Sequence, residues 1–219
     1  MALMDNETAG EIRKILDALP GEVKLVFFKE NLTCQTCPQV EELLKELSAL
    51  SGKIKLEIYN KYVDEAKAAE YSPAQVPALF VEGPKSGKRA VFYGLPAGYE
   101  FVSLMEAIKG SAAEAVDLQP ETLGKLKEVK NKVNIKVFVT TTCPYCPAAV
   151  VMAHKFAMAS ENITGEMIES NEFPKLSQKY EVSGVPKIVV NDKVHLTGAQ
   201  PESSFLSAVI DSQREIPNL

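Results

Sequence analysis

The sequence predicts an α/β protein built from two consecutive copies of one unit, and three observations carry that prediction. Cys34-Gln35-Thr36-Cys37-Pro38 recurs as Cys143-Pro144-Tyr145-Cys146-Pro147. Each is followed by a Val-Pro pair, Val76-Pro77 and Val185-Pro186, so both features repeat at 109 residues (143 − 34 and 186 − 77). Over residues 34–81 the copies align at that offset without a gap. Ten of the 48 positions are identical, among them Ile54/Ile163, Glu57/Glu166, Tyr71/Tyr180 and Val81/Val190.

The elements follow in the same order in both copies. Ile12, Ile15, Leu16 and Leu19 mark one face of a helix over 9–19 that Pro20-Gly21 ends. Val23 to Phe28 is an apolar run broken only by Lys24, the pattern of a strand covered on both faces. A helix is expected from Cys34, because Val40, Leu43, Leu44, Leu47 and Leu50 form an amphipathic stripe. A strand over 54–58, a short helix over 64–71, a strand over 77–81 and a returning strand over 89–93 come next. Gly83-Pro84 and Ser86-Gly87 supply the hairpin turn, and a closing helix runs over 99–108. The second copy reads as helix 120–132, strand 135–139, helix 143–160, strand 163–168, helix 174–180, strands 186–190 and 194–196, and helix 203–212. The junction falls near 112–120, giving units 1–116 and 117–219.

A length of 219 residues suits one large domain or two of about 100, each able to bury its own core. The net charge of −5 argues against a nucleic-acid binder. All of that acidity lies in residues 1–118, with 13 Lys+Arg against 18 Asp+Glu, while the remainder carries 11 of each. Met1 to Gly10 lacks the charged-then-apolar pattern of a signal peptide, and no run of about 18 apolar residues exists. The expectation is a cytoplasmic protein without a membrane span. In that compartment paired cysteines are catalytic, redox-sensing or metal-binding more often than structural.

All four cysteines fall in the two Cys-x-x-Cys pairs, each between a strand and a helix. Unpaired N–H groups and the helix dipole at a helix start stabilise a thiolate and pull its pKa below the free value of roughly 8.5. Cys34 and Cys143 are therefore the expected nucleophiles, with Cys37 and Cys146 as the sheltered thiols that resolve a mixed disulfide. Pro38 and Pro147 suit a first helical turn, where a missing N–H costs little. Thr33 and Thr142 are candidate helix caps. Since X-Pro bonds are cis in only about 5–6% of cases, the residues by themselves favour trans at Pro77 and Pro186.

Strand, Cys-x-x-Cys helix, strand, helix, Val-Pro, hairpin and final helix resemble the thioredoxin fold, and the chain resembles two such units in tandem. Cys-Pro-Tyr-Cys is similar to the glutaredoxin active site. The whole is similar to the glutaredoxin-like protein disulfide oxidoreductases of thermophilic archaea and bacteria. The resemblance implies two thioredoxin-like units, each a central mixed β-sheet flanked by helices, with cis bonds at Val76-Pro77 and Val185-Pro186. It implies that Val76, Pro77, Val185, Pro186 and Tyr145 meet the substrate, and that the second site carries most of the exchange. No bound cofactor is implied beyond the redox-active disulfides Cys34–Cys37 and Cys143–Cys146, and no metal. The implied partners are protein disulfides and dithiols, a thioredoxin-reductase-like flavoprotein using NADPH, and a peroxiredoxin, with no nucleic acid and no membrane. An electron carrier between a flavoprotein and a peroxidase, like the module fused to some alkyl hydroperoxide reductases, is the alternative.

Two departures stand out. Thr33 and Thr142 precede the first cysteines where thioredoxins carry Trp, and Phe28 and Val137 stand six residues earlier, where thioredoxins carry a buried acid. Glu57 and Glu166 recur at the 109 offset and are candidates for the missing proton acceptor, although a surface-strand role is the expectation for both. A zinc ion on four thiolates would require the two pairs to converge. His154, whose first-copy counterpart is Lys45, and His195 are both expected on the surface. The helix over 148–159 is apolar nearly all round and is expected at a seam between units or between protomers.

Overall fold

The computed structural model describes residues 4–84, 87–113 and 115–214. The first repeat comprises α1 (Asn6–Asp17), β1 (Val23–Lys29), α2 (Cys37–Leu50), β2 (Ile54–Asn60), α3 (Glu65–Tyr71), β3 (Ala78–Gly83), β4 (Gly87–Tyr93) and α4 (Glu100–Ala112). The second comprises α5 (Pro120–Leu126), β5 (Val133–Val139), α6 (Cys146–Ala159), β6 (Ile163–Glu169), α7 (Pro174–Lys179), β7 (Lys187–Val190), β8 (Val194–Thr197) and α8 (Glu202–Ser212). Ser86, half of the anticipated hairpin turn, lies outside the described residues.

In each repeat a parallel pair (β1 with β2, β5 with β6) continues into an antiparallel one (β1 with β3, β5 with β7), which makes a mixed sheet. The two sheets do not stay separate. β4 pairs in parallel with β6, from Ala90 opposite Gly165 to Tyr93 opposite Ile168, and gives one eight-stranded sheet of order β2-β1-β3-β4-β6-β5-β7-β8. The last strand of one repeat thus meets the outer strand of the next, so a sheet edge is satisfied by the neighbouring repeat.

The larger core lies on the sheet face covered by α2, α4, α6 and α8, with Phe27, Leu44, Leu47, Phe92, Leu104, Val137, Phe156 and Phe205 in it. The opposite face holds a smaller aromatic cluster around Phe28, Tyr71, Phe80, Phe138 and Tyr180. α6 is apolar on several sides for a structural reason. It covers its own strands β5 and β6 and also packs on α4 and β4 of the other repeat. Gly165 permits α6 to lie close on β6, because a Cβ there would come within 2.7 Å of Ala153 O.

This seam corrects the reading of His154. It is 2% exposed, edge-on to Phe92, with Nε2 3.3 Å from Val91 O. Burial pushes its pKa down to about 4, so it is neutral at ordinary pH. Its counterpart Lys45 is exposed, and among the described residues α2 shows no packing on the second repeat like that of α6 on α4. His195 is exposed, as expected. α5 ends at Leu126, six residues sooner than its pattern suggested, because the chain turns at Lys127 and reaches β5 through an irregular stretch.

Candidate active site

Each cysteine pair is disulfide-bonded, with Cα atoms 5.4 Å apart in Cys34–Cys37 and 5.5 Å apart in Cys143–Cys146. The helices start later than their patterns suggest. α2 begins at Cys37 and α6 at Cys146, so the first cysteine of each pair lies just outside the helix rather than on it. The residues in the capping position are Thr36 and Tyr145, and neither makes a side-chain cap. Thr33 and Thr142 therefore do not cap these helices. The Thr33 hydroxyl instead donates to Glu30 Oε1 at 2.6 Å. The helix end still acts on the first sulfur, since Cys37 N–H points at Cys34 Sγ from 3.2 Å. An unpaired donor at a helix start is the group that favours a thiolate. Pro38 and Pro147 follow at the second helical position, where no N–H is needed.

The second cysteine of each pair is sealed in, with Cys37 at 2% and Cys146 at 0% exposure. Cys34 is half-buried and Cys143 nearly buried, while Tyr145 beside it stands 69% exposed. Both Val76–Pro77 and Val185–Pro186 bonds are cis. Cys143 Sγ lies 3.9 Å from Val185 O, and Val76 and Pro77 share a cavity of about 370 Å³ with Cys34. The expected site residues are thus brought together in both repeats. In each repeat a cysteine just outside the helix, a buried second cysteine and a cis Val-Pro turn adjoin, an arrangement suited to exchange with a polypeptide disulfide.

The cavity at the first pair has a feature that no motif signalled. Its other wall is Asn171, Glu172 and Phe173, from the segment linking β6 to α7 in the second repeat, and Pro174, the first residue of α7. Thr36 Oγ1 donates to Glu172 Oε2, and Leu95 N donates to Glu172 Oε1 at 2.6 Å. Desolvation pushes the Glu172 pKa up, and the hydrogen bonds from Thr36 and Leu95 offset this only in part.

Glu57 and Glu166 fail as proton acceptors on geometry. Along β6, Ile163 and Met167 face the larger core that contains all four cysteines or packs against them, so Glu166 points to the opposite face. Leu56 and Ile58 place Glu57 the same way. Glu166 is also no surface residue: it is half-buried on an inner strand, accepts from Asn134 Nδ2 at 2.6 Å, and has its pKa raised by burial. The position where thioredoxins carry the acid also shifts by one residue in the first repeat. β5 lies 110 residues after β1 (133 − 23) whereas α6 lies 109 after α2 (146 − 37), so one extra residue precedes Cys34. The first-repeat counterpart of Val137 is therefore Phe27, not Phe28, and both are apolar.

A buried acid does exist on the correct face. Glu100, the first residue of α4, is 0% exposed, with Oε1 unpartnered and Oε2 accepting from Ser103 Oγ at 2.6 Å. Desolvation raises its pKa to about 7. Its neighbour Tyr99 donates its N–H to Thr141 O at 3.0 Å, two residues before Cys143. Gly98 makes this possible, having φ +59° and no room for a Cβ, which would sit 2.3 Å from Thr141 O. An acid in a helix's first turn normally signals an exposed partner of the dipole, so the sequence hid this one.

Among the described residues no group of three or more His, Cys, Asp and Glu gathers as a metal site would, and the two cysteine pairs do not converge. Nor is any described helix long and apolar enough to cross a membrane.

A family model described as a thioredoxin domain matches residues 22–106 and again 133–211. The chain belongs to the thioredoxin-domain family. This thioredoxin-domain chain is 23% identical over 205 residues to the alkyl hydroperoxide reductase AhpF of Staphylococcus aureus. The match covers 94% of this chain but 37% of that protein, so the chain spans just over a third of the length of that relative. Among solved structures, a protein disulfide oxidoreductase from Aeropyrum pernix superposes with TM-score 0.87 at 29% identity, over 95% of this chain and 94% of that one. A domain of the alkylhydroperoxide reductase AhpF from Enterococcus faecalis superposes with TM-score 0.85 at 22% identity, over 94% and 99%.

Proposed function

We propose that the chain is a protein disulfide oxidoreductase that exchanges thiols and disulfides with protein partners at two sites. Cys143 and Cys34 act as nucleophiles and Cys146 and Cys37 as resolving thiols. We place the boundary between the two units at residues 116 and 117. The observation that carries the reading is the near-identical construction of both sites: a disulfide at a helix start beside a Val-Pro edge.

In the reducing direction, the Cys143 thiolate attacks one sulfur of a partner disulfide. A mixed disulfide forms, and the partner's other sulfur leaves as a thiolate. Cys146, once deprotonated, attacks Cys143 Sγ; the Cys143–Cys146 disulfide closes and the partner's second sulfur is released. Two electrons pass to the partner and two protons follow its sulfurs. Glu100 takes up the Cys146 proton, a role supported by its burial and its pKa of about 7. Val185 and Val76 present backbone to the partner chain, and Tyr145 forms part of the docking rim. A flavoprotein of the thioredoxin-reductase type, using NADPH, recharges the dithiols.

The alkyl hydroperoxide reductase relatives favour a second reading, in which the chain carries electrons from such a flavoprotein to a peroxidase. Insulin reduction by wild type and by the Cys34→Ser/Cys143→Ser double variant tests the first reading. Activity should vanish in the double variant, and retained turnover would refute the site assignment. Peroxide consumption coupled to NADPH oxidation through an added peroxiredoxin tests the second.

A further inference from the structure

Glu172 belongs to the second repeat, yet it closes on the first cysteine pair. Thr36, the residue just before Cys37, donates through Oγ1 to Glu172 Oε2 across 136 positions of chain. Leu95 N donates to the other oxygen at 2.6 Å. With Thr36 and Leu95 both donating, the two hydrogen bonds favour the ionised carboxylate against the burial that raises its pKa. The approach is built into the backbone. Gly94 has φ +99°, and a Cβ there would lie 2.6 Å from Glu169 Cβ and 2.8 Å from Glu172 Oε1. Glu172 also lines the cavity that Cys34 lines. The arrangement has no twin, since the residue at the matching offset of the first repeat is Val63, 75% exposed, and the position matching Thr36 is Tyr145.

We propose that Glu172 is a positioning residue of the Cys34–Cys37 site: through Thr36 it fixes the bridge between the two cysteines and holds a negative charge across the cavity from Cys34. This rests on the reading of Cys34–Cys37 as an exchanging disulfide. A nearby like charge disfavours a thiolate, so Glu172 raises the Cys34 pKa and makes the first disulfide a weaker oxidant than it would otherwise be. The groups that bear on Glu172 are the Thr36 hydroxyl from the cysteine segment, the Leu95 amide from the end of β4, and the Glu169 carboxylate from its own segment. Only Glu169 among these is charged, and it acts in the same direction as burial.

The test is the pH dependence of alkylation at Cys34 in the full chain carrying Cys143→Ser and Cys146→Ser. Glu172→Gln removes the charge and keeps one acceptor oxygen, for the Leu95 amide, while its NH2 can donate to the Thr36 hydroxyl in place of accepting from it. It should lower the Cys34 pKa by half a unit or more, which is about threefold more thiolate at a fixed pH below it. Thr36→Ala should move it the same way by less, and the double variant should go no further than Glu172→Gln. In the complementary chain, with Cys34→Ser and Cys37→Ser, the Cys143 pKa should not move. No shift or an upward shift at Cys34, an equal shift at Cys143, or strictly additive effects of the two substitutions would each overturn the proposal. Should Glu172→Gln fail to fold, Thr36→Ala decides by itself: a downward shift at Cys34 alone supports the role and its absence removes it. The alkylation readout needs no turnover, so a failed insulin assay, which would sink the exchange reading, is distinguishable from an unmoved Cys34 pKa, which would sink this proposal alone.

Discussion

Cys34 opens into a cavity whose far wall, Asn171 to Pro174, comes from the other repeat, whereas Cys143 adjoins a tyrosine that is 69% exposed. The helices, strands and Val-Pro turns beneath them are near copies. What differs is the tandem join. Pairing β4 with β6 carries the segment after β6 onto the first site, and the pairing is one-sided, so the matching segment after β2 is not carried onto the second. Duplicated machinery therefore becomes two unequal sites through the geometry of one strand pairing.

The inequality predicts unequal work. Cys143→Ser should cost at least about tenfold in insulin reduction, because it removes the nucleophile of the site with the open rim at Tyr145, although Cys143 itself is more buried than Cys34, while Cys34→Ser should keep half or more of the rate. Equal losses would mean that the covering segment does not limit access, and the reverse order would break the comparison outright.

The glycines that end the two hairpins give a second contrast. Gly94 and Gly198 occupy matching places, each donating its N–H to the carbonyl of its Val-Pro proline, and both have positive φ. Around Gly198 nothing lies within 4 Å of an added Cβ, whereas at Gly94 the Cβ would collide with Glu169 and Glu172. Gly198→Ala should cost about 1 kcal/mol of backbone strain. Gly94→Ala should cost about 3 kcal/mol, since strain and collision combine. Denaturant unfolding measures both, and equal costs would show that the covering segment yields freely.

Much of this was legible from the chain. A gapless 109-residue offset placed α2 on α6 and β2 on β6 with identical bounds, and the cysteine and Val-Pro pairs fell where they assemble. The missed features share one cause: they depend on contacts between repeats, which local patterns do not encode. His154 resembles a surface residue until α4 and β4 cover it, and Glu100 resembles an ordinary helix-start acid until α6 packs beside it. Glu172 sits 136 residues from its partner Thr36. The late helix starts have a local origin instead, one the prolines signal: a helix begun at Cys34 or Cys143 would place Pro38 or Pro147 at its fifth position, where an N–H is needed.

Glu100 offers a pH test of the join at the second site. Its folded pKa of about 7 lies above the ordinary 4.5, so the folded state holds a proton that the unfolded state releases in that window. Wild-type stability should therefore fall as pH rises from 4.5 to 7 and level off above, by at most on the order of 3 kcal/mol from this group. Glu100→Gln should flatten that slope and be the more stable protein at alkaline pH, while slowing release of mixed disulfides at Cys143. A slope unchanged by the substitution would mean that the carboxyl finds water or a partner when it ionises.

The smallest effect expected is at Tyr145. Its ring is 69% exposed, so Tyr145→Ala should leave stability within about 0.5 kcal/mol. A protein disulfide docking at the open site should nonetheless lose about 1 kcal/mol of binding, read as a several-fold fall in kcat/KM carried by KM. A small disulfide such as a glutathione-sized substrate, which need not reach the rim, should react at the wild-type rate. The covered site supplies the control, because Thr36 stands at the matching position already engaged with Glu172. Placing tyrosine there should displace the covering segment rather than add a docking surface. If Tyr145→Ala slowed small and large disulfides alike, the ring would be tuning the sulfur chemistry, and the contrast between an open rim and a covered one would lose its meaning.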